Sequence, residues 1–154
     1  MSGDDQETPP PTNRMVVAVL ALMGLFIAFY LTAHALGWTG PLRCGIGSCE
    51  TVQSSEWATL GPIPVAAIGL VGYLALLVLA VVGIQPAWRG SGLVGGLLLL
   101  GSTLALAYSA FLTYLEAFVI RAWCQWCVTS AILVTIIFLA SLPEARRMGG
   151  GKKS

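Results

Sequence analysis

Apolar residues in this chain do not come singly between polar ones; they run on. Four stretches, residues 15–36, 63–84, 92–119 and 124–142, are apolar almost throughout. A bilayer's hydrocarbon core is about 30 Å thick and takes roughly 20 residues of helix. Each stretch is therefore long enough to span it, and the expected fold is an all-α integral membrane protein, a four-transmembrane-helix bundle. The third stretch is long for a span and carries Gly92, Gly95, Gly96 and Gly101. A tilted helix is expected there, with the Gly92 and Gly96 pair letting a neighbour approach closely.

The flanks differ in kind. Residues 1–14 are acidic and proline-rich (Asp4, Asp5, Glu7, Pro9, Pro10, Pro11), and 143–154 end in a glycine and lysine tail. Neither can bury a core, so disordered cytoplasmic ends around a membrane domain of 15–142 are expected. With 56% hydrophobic and 10% charged residues, a soluble domain is excluded as the expected class. A net charge of +1 with no basic cluster outside the tail gives no reason to expect a nucleic-acid partner. Basic residues concentrate on cytoplasmic loops. Placing both termini inside puts Arg14, Arg89, Arg146, Arg147, Lys152 and Lys153 there, against Arg43 and Arg121 outside. Ala33-His34-Ala35 resembles a signal-cleavage site, but its leading segment is acidic and the apolar run is too long.

Cysteine placement carries the chemistry. Cys44 and Cys49 lie in the first connection, and Cys124 and Cys127 open the fourth span. In a four-span protein the first and third connections share a side, here the outside, where disulfide exchange is thermodynamically natural. Cys124-Gln-Trp-Cys127 at a helix N-terminus sets two sulfurs on one face. The free amides and the helix dipole there favour a thiolate. Cys124 is expected to be the more exposed, with Cys127 one turn deeper and suited to delivering electrons to a membrane-soluble acceptor. In Cys44-Gly-Ile-Gly-Ser-Cys49, the glycines Gly45 and Gly47 allow a mobile disulfide to shuttle electrons from a soluble dithiol to the CxxC pair. Two other readings stay open: a static staple between Cys44 and Cys49, and a four-sulfur zinc site.

Together, Cys44, Cys49, Ser54-Ser55-Glu56-Trp57, Gly61-Pro62-Ile63-Pro64, Tyr114-Leu115-Glu116 and Cys124-Gln-Trp-Cys127 resemble the vitamin K epoxide reductase family, especially its bacterial single-domain members. The resemblance implies a thiol–disulfide oxidoreductase in a bacterial plasma membrane, supporting disulfide formation in exported proteins. By it, Cys44 and Cys49 exchange with a thioredoxin-like partner, Cys49 bridges transiently to Cys124, and Cys127 faces a quinone, whether menaquinone, ubiquinone or a vitamin K type. Ser55, six residues after Cys49, matches the family's characteristic serine. No fused thioredoxin-like domain follows the four spans, so a separate extracytoplasmic partner is expected. The animal enzymes have a tyrosine and an asparagine where this chain has Ala131 and Val65, which points away from direct vitamin K epoxide reduction. Alternatives are a quinone or vitamin K epoxide reductase proper, or a non-enzymatic membrane protein with structural disulfides.

Further residues have a plain and a pointed reading. Trp38, Trp57, Trp123 and Trp126 suit anchoring at the outer interface and Trp88 at the inner one. Trp57 also falls in a short surface helix expected over 54–60, where it would cover the quinone. Glu116, the only acidic residue in an expected span, either reaches water at the helix end or relays protons with Arg121 as partner. His34 is expected to be an inert interfacial histidine. Phe26, Phe29, Phe111 and Phe118 either pack or line the quinone cavity.

Overall fold

The computed structural model describes residues 12–88 and 90–151. Residues 1–11, Arg89 and 152–154 lie outside the described residues, and with them most of the acidic N-terminal segment and the two terminal lysines on which orientation was partly read. In chain order the elements are α1 (Thr12–Ala35), α2 (Cys49–Gln53), a 3-10 turn (Glu56–Ala58), β1 (Thr59–Leu60), β2 (Ile63–Pro64), α3 (Val65–Ile84), α4 (Gly92–Tyr114), a π-helical turn (Leu115–Ile120) and α5 (Gln125–Gly151). Four helical segments are long and apolar enough to cross a membrane: Thr12–Ala35, Val65–Ile84, Gly92–Ile120 and Gln125–Arg146. The surface helix sits earlier than expected, at Cys49–Gln53. Residues 54–60 instead form the 3-10 turn and enter an antiparallel hairpin pairing Thr59 with Pro64 and Leu60 with Ile63.

Small residues decide how the helices meet. Val17, Ala21 and Ala28 of α1 pack with Tyr73, Leu76 and Ala80 of α3, Leu98 of α4, and Val134 and Ile137 of α5. A Cβ on Gly24 would fall inside the Tyr73 ring, so α1 and α3 approach at that glycine. On α4 the glycines in contact are Gly95, against Glu144, and Gly101, against Leu76. Gly92, expected at such a contact, faces open space. The third span is one helix, Gly92–Tyr114, continued by a π turn over Leu115–Ile120.

Phe26, Phe29, Phe111 and Phe118 are more than half exposed on the outside of the bundle. They neither pack inside nor line a cavity; their apolar rings face where lipid replaces water. Serine and threonine hydroxyls in the spans bond back to their own helices, as in Thr32 to the Ala28 carbonyl (2.7 Å) and Ser141 to that of Ile137 (2.8 Å), while the Tyr73 hydroxyl reaches across to Ser130.

Both outer helices extend beyond the apolar runs because a polar cluster binds their ends together. The Arg14 guanidinium meets the Glu144 carboxylate through Nη2–Oε1 (2.8 Å) and Nε–Oε2 (3.0 Å), with each residue about 1% exposed. Asn13 donates to the same carboxylate at 2.7 Å, and Arg14 also donates to the Gly83 carbonyl at 2.8 Å. Arg14 is thus a buried partner that fixes α1 to α5 and α3, not a surface charge. α1 accordingly begins at Thr12, and α5 passes through Pro143 and Glu144.

Removing one member of such a pair leaves its charge buried. Glu144→Ala is expected to destabilise the bundle by about 3–5 kcal/mol. The double change Arg14→Ala with Glu144→Ala should cost less than the sum of the singles, measured by thermal unfolding in detergent.

Candidate functional site

The connection after α1 is anchored by burying Leu42, Cys49 and Val52 against Leu31 and Cys124. Cys44 and Cys49 form a disulfide across it, with Cα atoms 6.0 Å apart. His34 is not idle here: its Nε2 lies 3.2 Å from the Glu50 carboxylate, which also accepts from the Leu42 amide at 3.0 Å. Glu50 follows Cys49 directly, so this contact ties the disulfide's helix to the end of α1.

The start of α5 holds the other side of the loop. Gln125 Oε1 accepts from the amides of Gly45 (2.8 Å) and Ile46 (3.1 Å). Trp126 Nε1 donates to the Arg43 carbonyl at 2.9 Å and stands edge-on to Tyr30. Gly47 pairs with Cys124 as an isolated antiparallel bridge, and the Ser48 amide donates to the Trp123 carbonyl at 2.6 Å. Gly47 has φ +97°, and an added Cβ would sit 2.5 Å from the Trp123 carbonyl oxygen. That glycine serves close approach and a left-handed backbone, and the loop expected to swing is clasped against the CxxC segment.

This clasp reverses the expected exposure of the two thiols. Cys124 is 0% exposed because the loop lies over it, whereas Cys127 is the partly exposed one, opening onto a cavity. Cys124 stands just before α5, where Val128 N–H bonds to its carbonyl. The Cys127 thiol hydrogen-bonds to its sulfur and does most to bring the Cys124 thiol down to about 7 against the opposing effect of burial. The backbone amides of Cys127 and Trp126 and the Gln53 side chain help, as expected of a sulfur at a helix N-terminus.

Behind Cys127 lies a cavity of about 430 Å³ between α1, α3, α4 and α5, roofed by residues 52–58. Its wall is mostly apolar. Among its polar lining residues, Gln53 and Glu116 stand beside Cys127, and Ser55 and Tyr108 also line the cavity. Gln53 Nε2 lies 3.4 Å from the Cys127 sulfur and 3.9 Å from that of Cys124. Ser55 donates to the Val52 carbonyl (2.7 Å), closing the end of α2, and Trp57 lines the roof. Glu116 is 4% exposed, accepts the Cys124 amide at 2.9 Å, and has the Cys127 thiol within hydrogen-bonding reach. It neither reaches water as a surface group nor forms an ion pair with Arg121 among the described residues; Arg121 is exposed and ends the π turn.

A disulfide is thus clasped over one thiol of a CxxC pair, and the other thiol lies on an apolar cavity inside a helical bundle. The model of the Vitamin K epoxide reductase family matches residues 15–142. This chain belongs to the vitamin K epoxide reductase family. It is therefore an integral membrane oxidoreductase of a family whose disulfide chemistry is linked to quinones, and whose members act in general with thioredoxin-like partners.

The cavity fits a quinone on its own terms. Its volume lies within the roughly 300–1,000 Å³ of small-molecule sites, which combine apolar walls with a few placed polar groups. The Tyr108 hydroxyl lines it with no hydrogen-bond partner among the described residues, a free donor for a carbonyl oxygen. Val65 lies on the cavity wall, while Ala131 faces a separate, shallower groove between α4 and α5. A side chain at 131 therefore does not reach this cavity.

Gln53 and Tyr108 were not singled out in the sequence. Gln53 sits four residues after Cys49, a helical offset that places it beside Cys49's face, and that spacing was its only signal. Tyr108 stands in an apolar run where nothing distinguishes a cavity tyrosine from an interfacial one.

With the loop disulfide intact and the CxxC pair reduced, thiolate absorbance should titrate with a midpoint near 7. Cys127→Ala removes the largest contribution, so the Cys124 midpoint should move upward towards the ordinary thiol value of about 8.5.

Proposed function

We propose that this protein is a quinone-dependent thiol oxidase of the cell envelope, taking electrons from a separate thioredoxin-like protein through Cys44 and Cys49 to Cys124 and Cys127, and on to a membrane quinone. The observation that carries this reading is the placement of Cys124 and Cys127. One thiol lies under the disulfide loop at the Gly47 bridge, and the other opens into the cavity.

The chemistry follows as exchange by thiolate attack. A partner thiolate attacks the Cys44 sulfur and frees Cys49; the partner's second thiol then releases Cys44 and leaves as its own disulfide. Cys49 attacks Cys124 of the oxidised CxxC pair, breaking its bond to Cys127 and forming a Cys49–Cys124 bridge. Cys44 resolves that bridge, restoring the loop disulfide and leaving Cys124 and Cys127 reduced, the pairing present in this structure. A quinone supplies the site with an acceptor for two electrons and two protons. Cys127 faces it, Trp57 and Ser55 close the roof above it, and Tyr108 offers it a hydrogen bond. The quinone is of the menaquinone, ubiquinone or vitamin K type.

Orientation completes the proposal. Both ends are cytoplasmic, and the cysteine-bearing end of the bundle, including α2, faces the oxidising side of a bacterial plasma membrane. Because Arg14 is bound to Glu144, the asymmetry rests on Arg89, Arg146, Arg147, Lys152 and Lys153 against Arg43 and Arg121. The membrane domain is built on 15–142, with the buried Arg14–Glu144 pair closing its cytoplasmic end and the chain beyond that pair lying in the cytoplasm.

Purified protein in detergent, given a reduced thioredoxin-like protein and a soluble quinone, should show thiol loss coupled to quinone reduction. Cys124→Ala should abolish both. Cys44→Ser combined with Cys127→Ser should accumulate a Cys49–Cys124 bridge, identified by non-reducing peptide mapping. Absence of turnover with every quinone, together with a loop disulfide that resists mild reductant, would establish structural cysteines instead.

A further inference from the structure

Oxidation of the CxxC pair must release a proton from Cys127 at the same wall where the acceptor takes protons up. Among the groups lining the cavity, one carboxylate is present, Glu116. It is buried, and the Cys127 thiol lies within hydrogen-bonding reach. Its Oε2 is fixed by the Cys124 amide at 2.9 Å. A buried ionisable group inside a membrane span is costly to keep and calls for a function.

The other polar groups on this wall are poorly placed to move a proton. Ser55 and Thr113 donate to main-chain carbonyls, and the Tyr73 hydroxyl is engaged with Ser130. Gln53 carries an amide, which neither gains nor loses a proton near neutrality. Tyr108 is a free donor, but a phenol holds its proton too firmly to serve as acceptor and re-donor at neutral pH. Glu116 also sits in the π-helical turn Leu115–Ile120. Such turns recur where a helix must aim a functional side chain. Here the widened turn brings the carboxylate to both cysteines of the pair.

We propose that Glu116 is the proton carrier of the CxxC-to-quinone step. This rests on the function proposed above. Cys124 begins as the thiolate and Cys127 as the thiol. As the Cys124–Cys127 sulfur bond forms, the Cys127 S–H bond breaks. Its proton passes to the Glu116 carboxylate while the pair gives up two electrons to the quinone. Glu116 then delivers that proton to a quinone oxygen, and water at the cysteine-bearing end supplies the second. One thiolate, one thiol, one quinone and one proton thus become one disulfide and one quinol, and Glu116 returns to its starting state. Its grip on the Cys124 amide lets one residue hold the pair and serve its proton.

Glu116→Gln keeps an acceptor for the Cys124 amide and removes the exchangeable proton. In quinone-free reduced protein, the infrared carboxylate stretch of Glu116, assigned by its loss in Glu116→Gln, should shift when Cys127→Ala takes the neighbouring thiol away from it. Quinone reduction should fall about 100-fold or more, as general acid–base contributions do. The limb of the pH profile that reports an ionised carboxylate should disappear with it. The trapped Cys49–Cys124 bridge, formed in the Cys44→Ser with Cys127→Ser background, should appear at unchanged yield and confirms that the variant folds and exchanges disulfides. A carboxylate band that Cys127→Ala leaves unshifted, or quinone reduction at the unaltered rate in Glu116→Gln, overturns the proton-carrier role while leaving the oxidase function standing. Unaltered protein that never reduces quinone overturns both.

Discussion

The pairing of Gly47 with Cys124 is the contact on which the site depends. A two-residue stretch of extended backbone is weak in isolation. Here it is backed by Ser48 bonding to the Trp123 carbonyl and by Gln125 and Trp126 gripping Gly45, Ile46 and Arg43. The approach is so close that no side chain fits at residue 47. Loosening this seam would uncover Cys124, separate the loop disulfide from it and unroof the cavity. Thiol exchange needs sulfur to reach sulfur, so a protein that keeps two cysteine pairs working together must hold their backbones at this distance and still let them part.

Two buried carboxylates show how one costly feature serves two ends of the bundle differently. Glu144 is matched by Arg14 with two hydrogen bonds and a third from Asn13, so the charge is compensated where the helices must be pinned. A fully paired buried ion holds structure. Glu116 is held by one amide and one thiol, with no cation pinning its charge among the described residues. The difference lies in the partners, since both residues are equally buried.

Much of this was legible in the sequence, because the strongest signals were hydrophobic length and cysteine position. The four spans and the meeting of both cysteine pairs at one end follow from run length and from the parity of crossing. What escaped was governed by contacts between distant segments. Arg14 and Glu144 are separated by 130 residues and flank the apolar runs, so each looks like an ordinary surface charge until α1 and α5 are side by side. Gly95, not Gly92, meets a neighbour because helix rotation, which a run of glycines leaves undetermined, turns that face inward. Cys124 looked exposed as the first residue of a helix; only the folded loop shows that it is covered.

That cover divides the labour within the CxxC pair. A lone helix terminus would give both thiols to water, and electrons arriving there would have no preferred exit. Cys124 is buried beneath the loop while Cys127 is turned onto an apolar wall, so in the function proposed above the first would meet partners through the loop and the second those dissolved in the membrane. The hydrogen bond from Cys127 brings the Cys124 thiol down to about 7, so the negative charge settles on the covered sulfur. Charge and proton are thereby sorted between the two sulfurs before any acceptor arrives. Under the proposed function, the direction of transfer would then be set by which sulfur each partner can touch.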